Sequence, residues 1–328
     1  MRIALVGSRS FGDVVSVGPE ILTRGGFEVR GIAPKERPLD ASKMASIVAR
    51  EGPDVIICGA EPVTANVLRA SKRLRMVMKH GVGVDNIDLD AATSLGIPVA
   101  NAPGTNTAAV ADLAVATMLA LIRRLCEATH ATRTGRWDRF VGHELGEMTV
   151  GVVGTGRIGA QVIKRLRGFG PQILAYDVVQ DSRLVAEHRV EYVSFDRLLR
   201  DSDIITLHVP LVEQTEKMFG RHEFQQMKKT AYLINTARGG LVDEEALHEY
   251  LETHKTAAAA LDVFSTEPPR ESPLLKLDNV LATPHIAAYT TEAMERMDRM
   301  CAETILNTFS GKSPPNILNP STLPSFRP

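Results

Sequence analysis

The stretch VGVVGTGRIGAQV, Val150–Val162, decides the fold. Its apolar start reads as a buried strand, its glycines as a tight turn, and its end as the first turn of a helix. The spacing is Gly154-x-Gly156-x-x-Gly159. Gly154 permits the turn, Gly156 lets backbone approach a pyrophosphate, and Gly159 lets helix pack closely on strand. The free N–H groups and dipole of the helix start then hold negative charge. Such a pattern alone is weak. Here a second strand, QILAYD, follows and ends in Asp177, 18 residues beyond Gly159, where a carboxylate can accept both ribose hydroxyls. Val178, Val179 and Gln180 come next, with no arginine to neutralise a 2′-phosphate, so NAD is expected over NADP. A second glycine stretch, GSRSFG (Gly7–Gly12), lacks this spacing and the Lys-Ser/Thr of a phosphate loop, and reads as a turn after a strand.

Outward from this unit, short β-branched runs alternate with helical patterns. Runs such as Ile3–Val6, Val55–Cys58, Ile204–Val209 and Tyr232–Asn235 read as strands; Ala108–Ile122, Asp243–Thr253 and Glu292–Phe309 read as helices. Alternation of this kind implies parallel sheets covered by helices. Two such series are present, one over about Met1–Ala102 and one opening at Val150, with an apolar helix between them. The last long helix is expected back on the first series. The sequence therefore reads as α/β, a Rossmann domain (104–286) inserted into a discontinuous domain (1–103 and 287–328), which is why the fingerprint comes so late. The tail SPPNILNPSTLPSFRP is proline-rich and is expected to be extended.

The chain has 328 residues and a net charge of −1. That length allows two domains, and the charge gives no basic field for nucleic acid or a membrane surface. Cys58, Cys126 and Cys301 are scattered, so neither a disulfide framework nor a metal site is expected. The longest apolar stretch, Ala109–Ile122, carries Asp112 and falls short of the roughly 20 residues of a membrane span. A cytoplasmic protein is expected. The basic run Arg69, Lys72, Arg73, Arg75 reads as the solvated end of a helix.

Three polar residues of the second half lie where strands should end: Arg238 in INTARGGLVDEEAL, Glu267 in ALDVFSTEPP and His285 in LATPHIAAYT. Ligands bind at such ends. Arginine clamps a carboxylate, histidine exchanges protons near neutrality, and a carboxylate beside it orients the ring. Spacing alone does not bring the three together.

Taken with KHGVGVDNID, NAPGTNTAAVADLA, GRWDR, HVPLVEQT and TPHIAAYT, these motifs resemble the D-isomer-specific 2-hydroxyacid dehydrogenases, over nearly the whole chain and closest to the phosphoglycerate dehydrogenase-like members. The resemblance implies a flavodoxin-like substrate domain beside the Rossmann domain, and NAD-dependent interconversion of a small anionic D-2-hydroxy acid and its 2-keto acid. It implies that Arg238 binds substrate, that His285 is the acid/base and that Glu267 is its partner. Arg157 and Ile158 would touch the pyrophosphate, Val209 the adenosine, Thr236 and Ala237 the nicotinamide, and Asp262 its carboxamide. Val82 and Gly83 would offer N–H groups to the substrate carboxylate, with Lys79 near the same anion. The region of Trp137 would be a dimerisation arm, implying a homodimer. Asp112 stands where relatives often carry glutamate. In animal phosphoglycerate dehydrogenase an arginine aligns with Cys58; its loss, with Glu61 nearby, is expected to disfavour a phosphorylated substrate. The alternatives within the resemblance are 3-phosphoglycerate dehydrogenase itself and a co-repressor-like NAD(H)-binding module.

Overall fold

The computed structural model describes residues 1–326. Two parallel sheets organise it. The first contains β1 (Arg2–Val6), β2 (Phe27–Gly31), β3 (Val55–Cys58), β4 (Met76–Lys79) and β5 (Val99–Ala100), in the order β2-β1-β3-β4-β5. The second contains β6 (Thr149–Val153), β7 (Gln172–Tyr176), β8 (Glu191–Tyr192), β9 (Ile204–Leu207), β10 (Tyr232–Asn235), β11 (Ala258–Leu261) and β12 (Val280–Ala282), in the order β12-β11-β10-β9-β6-β7-β8. The central strands VIIC and IITL are buried at every residue. A strand covered by helices on both faces must be apolar throughout, and this makes such runs legible.

The first order is flavodoxin-like, and the second is the doubly wound dinucleotide order with one strand added. In each, the strand order reverses at one place: between β1 and β3, and between β6 and β9. At the second reversal Val153 stands opposite Leu207, and Leu207 opposite Asn235. The residues just beyond these strands are therefore brought abreast of one another.

The chain divides into one unit of Met1–Asn106 with Tyr289–Pro328 and another of Thr107–Ala288. These joints lie two or three residues beyond the 103/104 and 286/287 expected from the sequence. The helix Thr107–Ile122 is apolar nearly all round and packs on the helix Arg157–Leu166, so it is core of the second unit. The helix Thr291–Phe309 packs on Val17–Arg24 within the first.

Two expectations need correction. The tail is not simply extended. Ile317 bridges Ala100 antiparallel, the Asn319 amide oxygen accepts the Val99 N–H at 2.8 Å, and Pro320–Ser325 coils as a 3-10 helix. Pairing with an edge strand and burial of Ile317 and Thr322 outweigh the proline bias. Arg327 and Pro328, also read as extended, lie outside the described residues. β8 was not anticipated, because two half-polar residues at a sheet edge leave no apolar run to read.

Candidate active site

His285 Nδ1 lies 2.8 Å from Glu267 Oε2. The histidine has φ 54°, a left-handed conformation that a non-glycine residue holds only against a cost of about 1–3 kcal/mol. The surroundings impose it. The His285 N–H donates to the Asp262 carbonyl at 2.9 Å. The Asp262 carboxylate accepts from the Thr283 hydroxyl at 2.6 Å and from the Ile286 and Ala287 N–H groups at 2.8 Å each. One buried carboxylate thus fastens the loop on both sides of the histidine. With Nδ1 donating to Glu267, the ring presents Nε2 as its proton-exchanging atom.

Glu267 also accepts the Phe264 N–H at 3.2 Å. Partial burial pushes its carboxyl up. The hydrogen bond and charge of His285, the Phe264 N–H and the charge of Arg238 outweigh this and hold it below its ordinary value. Arg238 follows β10. Its loop is fixed by Asn235, which accepts the Ala237 N–H at 3.0 Å and donates to the Arg238 carbonyl at 2.8 Å. The next residue must be glycine: a Cβ on Gly239 would fall 1.9 Å from the Phe264 carbonyl carbon. Hence the arginine loop lies directly on the loop that leads to Glu267. The ends of β10, β11 and β12 bring together the three residues that spacing could not.

At the end of β6, Gly154 has φ +92°, and a Cβ there would strike His208 and Val209 at 2.7–2.8 Å. A Cβ on Gly159 would fall 1.9 Å from the Gly154 oxygen, while one on Gly156 would meet nothing. The turn is packed behind and open in front, at the start of the helix Arg157–Leu166. Asp177 accepts the Thr155 N–H at 2.6 Å and the Val179 N–H at 3.0 Å, tying this turn to the end of β7. Val178 and Val179 beyond it are exposed. Val209 and Ala237 pack against the core below, and Thr236 is buried with an unpartnered hydroxyl. An open glycine face at a helix start, a carboxylate beside it and an orphaned buried hydroxyl on the same sheet edge all fit a dinucleotide.

In the first unit, the loop after β4 is clamped from behind. The Gly81 carbonyl accepts the Ala102 N–H at 2.8 Å, and the Val82 carbonyl accepts Asn101 Nδ2 at 2.7 Å. Among the described residues, the N–H groups of Gly81, Val82 and Gly83 have no protein acceptor. Consecutive N–H groups of this kind form a cradle for an anion.

The sequence profile described as "D-isomer specific 2-hydroxyacid dehydrogenase, NAD binding domain" matches residues 115–287. D-3-phosphoglycerate dehydrogenase of Archaeoglobus fulgidus is 42% identical over 315 residues, covering 94% of this chain and 58% of that protein. Glyoxylate reductase of Thermococcus litoralis is 40% identical over 288 residues, covering 85% of this chain and 87% of that protein.

The chain belongs to the D-isomer specific 2-hydroxyacid dehydrogenase family.

Its second unit is the family's NAD-binding domain. Among solved structures, D-lactate dehydrogenase of Aquifex aeolicus, complexed with NAD and lactic acid, superimposes with a TM-score of 0.83 at 28% identity, covering 99% of this chain and 98% of that one. The chain spans only 58% of the length of the archaeal phosphoglycerate dehydrogenases it matches.

Four residues near these loops have partners or surroundings that the sequence does not disclose. Lys79 is buried, and its ammonium donates to the Gly59 carbonyl and to Asn86 Oδ1 at 2.6 Å each, which ties the loops after β3 and β4 together. Glu61 is not a bare carboxylate: Arg37, itself mostly buried, pairs with the buried Glu61 at 2.9 Å, and the Gly59 N–H donates to Glu61 at 2.7 Å. Cys58 is core, its thiol pushed up to about 11 by burial. Arg37, from a loop 24 residues earlier, thus cancels the charge of Glu61 and removes that half of the electrostatic case against a phosphorylated substrate, while the missing cation at Cys58 stands. Asp262, expected on the nicotinamide carboxamide, also fastens the His285 loop. Asn235, Arg37 and His208 were not anticipated. Asn235 had a readable signal, an asparagine ending a strand two residues before an Ala-Arg turn.

Proposed function

We propose that this protein is an NAD-dependent oxidoreductase acting on the CH–OH group of a small D-2-hydroxy acid, or in reverse on its 2-keto acid. The observation that carries the reading is the His285–Glu267 pair at 2.8 Å, fixed in a left-handed loop over the NAD-binding domain's strand ends. Gly154, Gly156, Arg157, Ile158 and Gly159 would hold the pyrophosphate, Asp177 the adenosine ribose, with Val209 beside the adenosine and Thr236 and Ala237 beside the nicotinamide. Bound NAD supplies the hydride acceptor, and NADH the donor.

Arg238 binds the anionic substrate and stabilises the carbonyl oxygen as its dipole grows. The N–H groups of Val82 and Gly83 take the substrate carboxylate. In oxidation, His285 Nε2 takes the hydroxyl proton as the hydride leaves C2. In reduction, the charged ring returns that proton to the carbonyl oxygen. Glu267 orients the ring and fixes its tautomer through Nδ1.

The substrate proposed is a small unphosphorylated 2-hydroxy or 2-keto acid, supported by the buried thiol of Cys58 where a phosphate-holding arginine would stand. A second reading, 3-phosphoglycerate dehydrogenase, is favoured by the Arg37–Glu61 pair, which removes the negative charge that stood against it. We further propose a homodimer in the cytoplasm. Trp137 and Val141 are 82% and 87% exposed, an apolar display that a second copy would cover, and Cys58, Cys126 and Cys301 are all free thiols.

The test is NADH oxidation with glyoxylate, hydroxypyruvate, pyruvate, bulkier keto acids and 3-phosphohydroxypyruvate. Turnover of an unphosphorylated acid supports the first reading, and turnover of the phosphorylated acid alone selects the second. NADH binding without turnover of any acid would refute both.

A further inference from the structure

Asp262 fastens the loop of His285, and the loop that carries Glu267 has a fastening of its own, supplied by a helix outside the site. Glu244 is the first residue of the helix Glu244–Thr253. A carboxylate at that place often serves the free N–H groups of its own helix. Here its neighbour does so: the Asp243 side chain accepts the Glu245 and Ala246 N–H groups at 3.1 and 3.2 Å. The Glu244 carboxylate reaches away from the helix instead. Its Oε1 accepts the Ser265 N–H at 2.6 Å, and its Oε2 accepts the Ser272 hydroxyl at 3.4 Å.

The Ser265 N–H belongs to a peptide on which both catalytic loops lean. Gly239, next to Arg238, lies flat against it: a Cβ there would fall 2.2 Å from the Phe264 oxygen and 2.3 Å from the Ser265 nitrogen. The Phe264 side chain is anchored in the core, and the Phe264 N–H donates to Glu267 Oε1. Past Ser265 the backbone has few bonds. Among the described residues, Thr266 makes no hydrogen bond and the Glu267 N–H has no acceptor; the next backbone bond joins Arg270 to the Pro268 carbonyl. The bond to Glu244 is therefore the last hold on the main chain before Glu267.

We infer that Glu244 is a positioning residue for the dehydrogenase reaction: its carboxylate fixes the Phe264–Ser265 peptide, and through it the Glu267 carboxylate against His285 Nδ1. This rests on the roles given above to Glu267 and His285. A charge-assisted bond to a backbone N–H is strong enough to hold a short loop. Where Glu267 stands sets where His285 Nε2 points, and a small misplacement of an acid/base group weighs heavily on the rate. Arg238 is held separately by Asn235, and the glycine turn lies at the end of β6, so substrate and cofactor binding do not depend on Glu244.

The test uses the full chain, with a keto acid that the wild type reduces. Glu244→Ala should lower kcat by about 10- to 100-fold. The keto-acid KM should stay within about threefold, and the NADH Kd, read by fluorescence titration, within about twofold. The melting temperature should fall by no more than about 2–4 °C. Glu244→Gln keeps an oxygen for the Ser265 N–H and should recover all but about threefold of the lost turnover. The deciding comparison repeats Glu244→Ala in a Glu267→Ala chain, where no carboxylate is left to position. There it should cost less than about threefold. The full loss persisting in that background would overturn the inference. So would a Gln variant as slow as the Ala variant, a KM that rises as far as kcat falls, or a lower melting temperature with kcat unchanged. Failure of the reading beneath looks different: if Glu267→Ala alone left kcat unchanged, or the wild type reduced no acid, the role of Glu267 would fall and the positioning role with it.

Discussion

Asp262→Asn should unfasten the His285 loop. The carboxylate accepts from Thr283 and Ile286 on one oxygen and from Ala287 on the other. An asparagine amide offers one oxygen and one NH2 group. Either orientation therefore sets an NH2 against a backbone N–H, of Ile286 or of Ala287. One charge-assisted bond is lost and one buried donor goes unsatisfied, for a cost of about 3 kcal/mol. In a unit of this size each kcal/mol moves the midpoint by roughly 2–4 °C, so the drop should be about 6–12 °C. Scanning calorimetry of the full chain reads it. Turnover should fall too, because His285 is no longer held at φ 54° against its own preference. A variant melting within about 2 °C of wild type would refute the reasoning, since a carboxylate that clamps this loop cannot be exchanged for an amide at so small a cost.

His285→Ala should lower turnover by roughly 10²–10⁴-fold and leave the NADH Kd nearly unchanged, as titration and steady-state rates will show. In the first unit, His80 Nε2 lies 2.7 Å from Asp298 Oδ1, Gly12 N–H donates to the other oxygen at 2.9 Å, and both side chains are buried. Asp298→Ala leaves the buried His80 Nε2 and the partly buried Gly12 N–H without their partner, and denaturant unfolding should show a loss of about 3 kcal/mol. His208 gives a pH dependence with a definite sign. Its folded pKa of about 3 lies below the ordinary 6.5, so between those values the unfolded chain binds the extra proton. Its contribution to stability is complete above pH 6.5 and is lost on acidification at about 1.4 kcal/mol per pH unit, and His208→Leu should flatten that slope in denaturant titrations at pH 7 and pH 5.

What the sequence makes legible follows from what is local. Buried parallel strands such as Val55–Cys58 and Ile204–Leu207 announce themselves as apolar runs, and the turn at Gly154–Gly159 is written in six consecutive residues. Arg238, Glu267 and His285 can be named from motifs, but their meeting depends on the register of β10, β11 and β12, which no local pattern contains. Pairings between distant loops were hidden for the same reason. Arg37 neutralises Glu61 from a segment with no strand or helix pattern of its own, and Lys79 donates to Gly59 and Asn86. The tail misled because proline content reports local stiffness, while Asn319 and Ile317 are fixed by what they pair with on β5.

The central claim is direct hydride exchange between NADH and the C2 carbon of a 2-keto acid. The most direct measurement supplies NADH carrying deuterium at both C4 positions of the nicotinamide, together with a turned-over keto acid, and examines the product by NMR and by chromatography on a chiral support. The account predicts the D-2-hydroxy acid with one deuterium at C2. An L product, or a product without deuterium at C2, would contradict it.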